Sequence, residues 1–219
     1  EALEPLPLKG KSQPVAVYRV IADRPKRSFR IGVRTLYGTE VEMIGRGPEL
    51  AVMRQQWGLA LAERCCTALT VVGAEGLGKS RLVHEFLKFL SESGVSNEFL
   101  IGSATPHGQS PLEAYEALVL GLARTPRRAD PSLAMRRMIA LCQGAIDEPQ
   151  RAKSVCENLL LLTGFRSPGE EDWRATQLQQ FRAVGDLIEG IAQRIPVFLV
   201  LEDFHCSTEQ SRALTSYLS

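Results

Sequence analysis

The stretch "VVGAEGLGKSRLV", residues 71–83, decides how the rest of this sequence is interpreted. It fits the pattern G-x-x-x-x-G-K-[ST] at every fixed position. The positions of the pattern are Gly73, Ala74, Glu75, Gly76, Leu77, Gly78, Lys79 and Ser80. A loop that wraps an anion with its backbone N–H groups must bend tightly, and glycine bends without the steric cost of a Cβ. The stretch therefore predicts a phosphate-binding loop, and the alternative is a tight turn without a ligand.

The segments on either side of this loop supply the context that the pattern requires. Before it, the β-branched run "TALTVV" at 67–72 predicts a buried strand. After it, apolar residues at 82, 83, 86, 87 and 90 predict a helix that begins near Lys79. The positive end of that helix dipole would face the anion. In this arrangement Lys79 reaches the outer phosphates and the hydroxyl of Ser80 binds Mg²⁺.

A second motif lies near the end of the sequence, where "VFLVL" is followed by Glu202 and Asp203. A magnesium–nucleotide site needs an acid at the end of a neighbouring strand. One acid would hold the metal and the other would orient an attacking water. The sequence leaves open which does which, because neighbouring strand residues face opposite ways. The alternative is an acid pair that faces solvent, and His205 beside it is either a helix-start residue or a sensor of the outer phosphate.

Around these motifs the predicted elements alternate between helix and strand. An amphipathic helix within residues 45–65 places Leu50, Met53, Trp57 and Leu61 about one turn apart. The segment "EFLIGSA" predicts a strand, and "PVFLVLED" predicts a central strand buried on both faces. Further helices are predicted at 110–123 (opening with Ser110 and Pro111), 133–146, 152–163, 175–195 with Leu178 on its apolar face, and 208–218. We therefore expect an α/β domain, with a parallel sheet flanked by helices.

The N-terminal part has a different character. Residues 1–22 predict a β-hairpin around the turn "PLKGKSQP", with "VAVYRV" as its second strand. Residues 23–43 are basic and predict a linker, or alternatively a strip that binds an acidic partner. Residues 44–219 form the predicted phosphate-binding domain.

Composition excludes several classes of protein. The formal net charge is +1, which does not call for nucleic acid or an anionic membrane surface. No apolar run approaches the roughly 20 residues that span a bilayer, and we expect no secretory signal. The cysteines lack C-x-x-C spacing, which favours free thiols in a reducing, cytoplasmic compartment; they are Cys65, Cys66, Cys142, Cys156 and Cys206. For the vicinal pair at 65 and 66, two small buried residues are favoured over a redox switch.

Three segments together resemble a known family. "IGRGPEL", "VVGAEGLGKSRLVHEF" and "FLVLEDFH" are similar to motifs of the signalling NTPases with numerous domains (STAND), a group of AAA-like P-loop ATPases. The resemblance runs from about residue 44 to the end of the sequence. It implies an α/β P-loop fold, ATP and Mg²⁺ as ligands, and a signalling switch. It also implies that Arg46 lies near the base or ribose and that Arg81 belongs to the nucleotide site.

The N-terminal segment "LEPLPLKGKSQPVAVYRV" resembles, less specifically, the closing hairpin of a class III nucleotidyl cyclase domain. This implies a cyclase domain in cis, or other protein partners, and a link to cyclic-nucleotide synthesis. In that family a hairpin lysine touches the substrate triphosphate, which here would be Lys9 or Lys11. Cyclase activity is not expected from this sequence, because the cyclase acids are not in it.

Two departures from the family pattern bear on activity. The family has "HWAD" where this sequence has "HCST", residues 205–208, and the sequence ends one helix after the second acid motif, so we expect an incomplete sheet. We therefore expect nucleotide binding and slow ATP hydrolysis. The alternatives are a regulatory domain that binds nucleotide without hydrolysis, a purely scaffolding domain, and a small-molecule kinase with arginines from "RTPRRAD" or "MRRM" in a lid.

Overall fold

A computed structural model of the chain describes residues 2–6, 14–18, 43–105, 110–167 and 173–219. The chain divides into two units, Glu1–Arg30 and Ile31–Ser219. The predicted linker at 23–43 lies almost wholly outside the described residues, and Lys9 and Lys11 lie outside them too. None of the helices in the described ranges is long and apolar enough to cross a membrane.

The first unit contains two short strands, β1 (Ala2–Leu6) and β2 (Val15–Tyr18). They pair antiparallel, with Ala2 opposite Tyr18 and Leu6 opposite Val15, and the register shifts once between these two pairs. Of the turn predicted between them, residues 7–13 lie outside the described residues.

The second unit alternates helices with two strands, as expected for an α/β domain. Its elements are α1 (Gly47–Glu63), α2 (Lys79–Glu92), β3 (Glu98–Ser103), α3 (Glu113–Leu122), α4 (Pro131–Ala145), α5 (Pro149–Leu162), α6 (Trp173–Ala192), β4 (Val197–Glu202) and α7 (Glu209–Leu218). A 3₁₀ turn, Phe204–Cys206, joins β4 to α7. Every helix predicted in this part of the sequence is confirmed, with ends that shift by up to three residues.

Strands β3 and β4 form a parallel pair with an unbroken register from Glu98 opposite Val197 to Ser103 opposite Glu202. Parallel neighbours need a crossover connection, and here helices α3 to α6 provide it. Strand β4 is less buried than predicted, since the sequence pattern indicated burial on both faces. Val200 is its buried residue, and the rest of the strand is half-buried.

The strand predicted at 67–72 is not formed. Residues 65–74 have no regular secondary structure, Leu69 is 45% exposed and Val72 is 87% exposed. A strand is stabilised by hydrogen bonds to a neighbouring strand, and in the part of the chain that the structure describes no strand pairs with this segment. The β-branched composition alone therefore does not make it a strand.

Two hydrophobic clusters hold the unit together. The larger one packs α3, α4, α5 and α6 around fully buried side chains such as Tyr115, Met138 and Leu187. The smaller one joins α1 and α2 to the sheet. In it the Phe198 ring of β4 lies 5.3 Å from the Phe86 ring and 5.9 Å from the Trp57 ring, measured between centroids. Because α2 follows the glycine loop directly, this cluster fixes the loop relative to β4.

The structure corrects four predictions, three about which side chains are exposed and one about where a helix begins. Leu61 and Leu178 are exposed, although the periodicity placed both on buried helix faces. Cys65 and Cys66 are also exposed, so the prediction that they are small buried residues is wrong. Helix α3 begins at Glu113, because the Ser110 hydroxyl accepts a hydrogen bond from the Leu112 N–H and closes a turn before the helix.

Candidate functional site

The glycine loop takes a backbone conformation that its glycines make accessible. Gly76 and Gly78 have φ values of +80° and +82°, a left-handed region that residues with a Cβ rarely adopt. Helix α2 starts at Lys79, immediately after Gly78, and the Leu82 N–H already donates to the Gly78 carbonyl at 2.9 Å. The first N–H groups of an α-helix have no partner within the helix, and together with the helix dipole they make this end suitable for binding an anion.

The Lys79 ammonium is folded back onto the loop. Its Nζ donates to the Gly73 carbonyl at 2.9 Å and to the Ala74 carbonyl at 3.0 Å. A phosphate oxygen placed within this loop would replace these carbonyls as the partner of a fixed positive charge, and such charge-assisted hydrogen bonds are the stronger kind.

The two motifs of the sequence meet at Ser80 and Glu202. The Ser80 hydroxyl, in the first turn of α2, lies close enough to the Glu202 carboxylate at the end of β4 to lower the pKa of that acid. Burial raises the pKa of Glu202 above its usual range, the Ser80 hydroxyl opposes this shift, and the adjacent charge of Asp203 adds to it. Of the two acids, Glu202 is therefore the one that faces the loop.

Asp203 has a different environment from its neighbour. It is exposed and has φ +51°, and its carbonyl accepts from the Cys206 N–H at 2.8 Å as the chain leaves β4 for the 3₁₀ turn. Aspartate tolerates this left-handed conformation better than most residues that carry a Cβ. Glu202 and Asp203 therefore differ in burial and direction, as the alternation of strand residues requires.

Arg46 also reaches the loop, although it lies just before α1. Its guanidinium Nη1 lies 2.7 Å from Glu49 Oε1 and its Nη2 donates to the Leu77 carbonyl at 3.3 Å. The bond from Arg46 lowers the pKa of Glu49. The sequence interpretation missed Glu49, although its spacing three residues after Arg46 on a helix start was a usable signal. Arg81 pairs along α2 with Glu85.

The segment "HCST", which departs from the family's "HWAD", is used to start the last helix. Thr208 is the N-cap of α7, and its hydroxyl accepts from the Ser211 N–H at 3.2 Å. It stands where the family pattern has aspartate, and both residue types are favoured N-caps. Ser207 is buried, and His205 is exposed. The departure therefore keeps the helix cap while it removes the large aromatic side chain.

The groups brought together fit a magnesium–nucleotide ligand. Hydroxyl and carboxylate oxygens are ligands that Mg²⁺ prefers, and this ion usually keeps several waters and takes phosphate oxygens as well. Among the described residues no three His, Cys, Asp or Glu side chains cluster as a metal cage. Ser80 and Glu202, with Asp203 next in the sequence, are oxygen-bearing side chains of the kind that such an ion takes.

The basic segments invoked for a kinase lid bind their own chain. Arg127 lies 3.3 Å from Glu116 and 3.8 Å from Glu113 of α3. Arg137 of α4 donates to the carbonyl of Arg124. These contacts tie the α3–α4 connection together, in line with a structural role for this cluster.

Comparison with known proteins gives one match. The profile of the family described as the AAA ATPase domain matches residues 42–219. No curated protein and no solved structure matches the chain. The matched region contains the glycine loop, the acid pair and the helices that position them. The chain therefore belongs to the AAA ATPase domain family.

Proposed function

We propose that this chain is an ATP-binding module that hydrolyses ATP slowly and acts as a signalling switch linked to cyclic-nucleotide synthesis. The contact between the Ser80 hydroxyl and the Glu202 carboxylate carries the nucleotide part of the proposal. It joins the glycine loop to the acid strand, which is the arrangement that Mg²⁺-dependent phosphoryl transfer needs. Family membership supports nucleotide binding and ATPase activity in general.

Each residue of the site then has a role that follows from its position. Backbone N–H groups of residues 73–80 bind the phosphates, and Lys79 leaves the Gly73 and Ala74 carbonyls to neutralise their charge. Ser80 and Glu202 hold Mg²⁺, which when bound neutralises charge on the transferred phosphoryl group. Asp203, exposed beside them, orients the attacking water.

The slow rate is part of the proposal. Asp203 is exposed and at a left-handed residue, so its carboxylate is not held in one position by surrounding packing. Water orientation depends on a base held in place to within a fraction of an ångström. A slowly hydrolysed nucleotide suits a switch better than a rapid enzyme, because the bound state must outlast the signal.

The signalling role and the cyclase link rest on the resemblance of the sequence. The hairpin of β1 and β2 is supported as the end of a cyclase domain by its segment "LEPLPLKGKSQPVAVYRV". In this proposal the partner is a cyclase domain in cis or another protein. A cytoplasmic location is proposed with it, because all five cysteines are free thiols.

Titration with a fluorescent ATP analogue in the presence of Mg²⁺ tests the proposal. Lys79→Ala should weaken binding at least about tenfold, because it removes a charge-assisted phosphate contact. Ser80→Ala should reduce the Mg²⁺-dependent part of the affinity. Lys153→Ala, an exposed lysine on α5, is the control of equal charge change and should bind like the wild type. Binding that survives Lys79→Ala unchanged would contradict the assignment of the loop.

A second candidate, nucleotide binding without hydrolysis, is favoured by the small residues at 206–208. Thr208 caps α7, but residues 206–208 supply neither the aromatic nor the acid of the family pattern. Phosphate release by the same proteins separates the two candidates. Single-turnover release that Asp203→Asn slows supports the ATPase, and saturable binding with no release supports the regulator.

A further inference from the structure

Arg46 forms a bridge between the start of α1 and the glycine loop. Its guanidinium contacts the Glu49 carboxylate with one nitrogen, at 2.7 Å, and the Leu77 carbonyl with another, at 3.3 Å. Leu77 is 31 residues further along the chain. This long-range contact to the loop backbone is made by a side chain that the phosphate-loop pattern does not include.

The contact controls the direction of a neighbouring donor. In a trans peptide unit the C=O and the following N–H point in opposite directions, and the described residues contain no cis peptide bond. A donor that holds the Leu77 carbonyl therefore turns the Gly78 N–H to the side away from Arg46. Gly78 is the N-cap of α2 at φ +82°, so this N–H belongs to the anion-binding end of the helix.

The hydrogen bond from Arg46 to Leu77 matters most when a phosphate binds in the loop. Within the loop, the hydrogen bond from the Leu77 N–H to the Ala74 carbonyl is long, at 3.4 Å. Lys79 also donates hydrogen bonds to the Gly73 and Ala74 carbonyls, and a bound phosphate would compete with both carbonyls for the Lys79 ammonium group. The Leu77 carbonyl is a hydrogen-bond acceptor, so an anionic phosphate does not compete for it, and we expect Arg46 to hold this carbonyl in the bound loop as well.

We propose that Arg46, anchored by Glu49, is a positioning residue that holds the Leu77–Gly78 peptide so that the Gly78 N–H faces the phosphates. The inference rests on the proposed function of the loop as a nucleotide site. It differs from a direct contact of Arg46 with the base or ribose, because it makes the effect of Arg46 independent of the nucleoside. It also gives Glu49 a role, which a base contact alone does not.

The test compares two ligands on the whole chain by titration calorimetry. One is Mg²⁺–ATP and the other is Mg²⁺ with inorganic tripolyphosphate, which has no base or ribose. Arg46→Ala and Glu49→Ala should each weaken both ligands by a similar factor, about three- to tenfold. The double variant should bind about as weakly as Arg46→Ala alone, because the two residues act as one unit.

Arg151→Ala is the matched control. It removes an arginine of similar exposure, 44% against 43% for Arg46, from an ion pair with Asp186 that joins α5 to α6. Its affinity for both ligands should equal that of the wild type, and Tm measurements on all variants identify any loss of folding. Arg46→Lys keeps the charge but not the planar fork, so it should remain weaker than the wild type.

The outcomes separate the inference from the proposed function. Weaker ATP binding with unchanged tripolyphosphate binding in Arg46→Ala would overturn positioning in favour of a nucleoside contact. Variants that bind both ligands like the wild type would overturn the inference and leave the proposed function intact. Wild-type protein that is folded and binds neither ligand would refute the proposed function, and the positioning role with it.

Discussion

Substitution of Gly102 by alanine tests how closely β3 lies against α3. Gly102 is buried in β3, opposite Leu201 of β4. A Cβ at this position would lie 2.3 Å from the Ala114 carbonyl oxygen and 2.9 Å from its carbon. Both atoms belong to the backbone of α3, so a side-chain rotation cannot relieve the overlap. Strand and helix would have to separate instead.

The cost follows from that overlap. Forcing one extra carbon into a packed interior usually destabilises by about 1–3 kcal/mol, and a backbone obstacle places Gly102→Ala in the upper part of this range. For a domain of this size, about 2 kcal/mol corresponds to a fall in Tm of roughly 4–8 °C. Gly58→Ala should have the opposite sign, because a Cβ there meets nothing within 4 Å inside α1. It should stabilise by about 0.5–1 kcal/mol.

Thermal melts followed by circular dichroism measure both changes, and nucleotide titration shows their effect on the site. Because Ser103 pairs with Glu202, separation of β3 from α3 should weaken Mg²⁺–nucleotide binding in Gly102→Ala. Gly58→Ala should leave binding unchanged. Equal Tm values for Gly102→Ala and the wild type would refute the close approach of β3 to the α3 backbone.

Two further predictions concern ionisable side chains. Burial raises the pKa of Glu202, so its charge costs stability once the pH exceeds this raised pKa, and the cost is absent below the unfolded pKa of about 4.3. Glu202→Gln should therefore raise Tm at pH 7 in the absence of nucleotide and leave it unchanged near pH 4; a gain that is the same at both would contradict the assignment. For the thiols, Cys65 and Cys66 are exposed, whereas Cys142 and Cys156 are buried. An alkylating reagent should modify Cys65 and Cys66 first, and it should modify Cys142 and Cys156 at least about a hundredfold more slowly. Equal alkylation rates of the exposed and buried thiols in folded protein would contradict this packing.

The glycine loop was predictable because its determinants are local. The left-handed backbone at Gly76 and Gly78 depends on the residue type at those positions. The helix that follows is fixed by its own apolar periodicity, and Leu82, Phe86 and Leu90 are buried as that periodicity requires. Short-range rules are sufficient where the structure is made by residues close in sequence.

The strand at 67–72 failed for the opposite reason. Its composition favours a strand, but strand formation depends on a neighbour that sequence composition does not reveal. Leu69 and Val72 are consequently exposed, and so are the two cysteines just before them. The expectation that Cys65 and Cys66 are buried depended on the same missing packing.

Which of Glu202 and Asp203 faces the glycine loop also depends on contacts between residues far apart in the sequence. The sequence placed Glu202 and Asp203 at a strand end but not on a face, because the alternation of a strand has two possible phases. The contact with Ser80 depends on how α2 packs against β4 through Phe86 and Phe198. That packing joins residues far apart in the sequence, so spacing alone did not contain it.

The groups predicted to meet a nucleotide already satisfy one another in the protein. Lys79 is bonded to the Gly73 and Ala74 carbonyls, and the Ser80 hydroxyl lies beside the Glu202 carboxylate. Ligand binding therefore exchanges hydrogen bonds within the protein for hydrogen bonds to phosphate, and an exchange of equal bonds gains little. For Lys79 the gain comes from charge, because neutral carbonyls are replaced by anionic oxygens opposite its ammonium group. The affinity of this site for a nucleotide should consequently rise with the number of phosphates. We expect the triphosphate to bind most tightly, the diphosphate less tightly and the monophosphate most weakly.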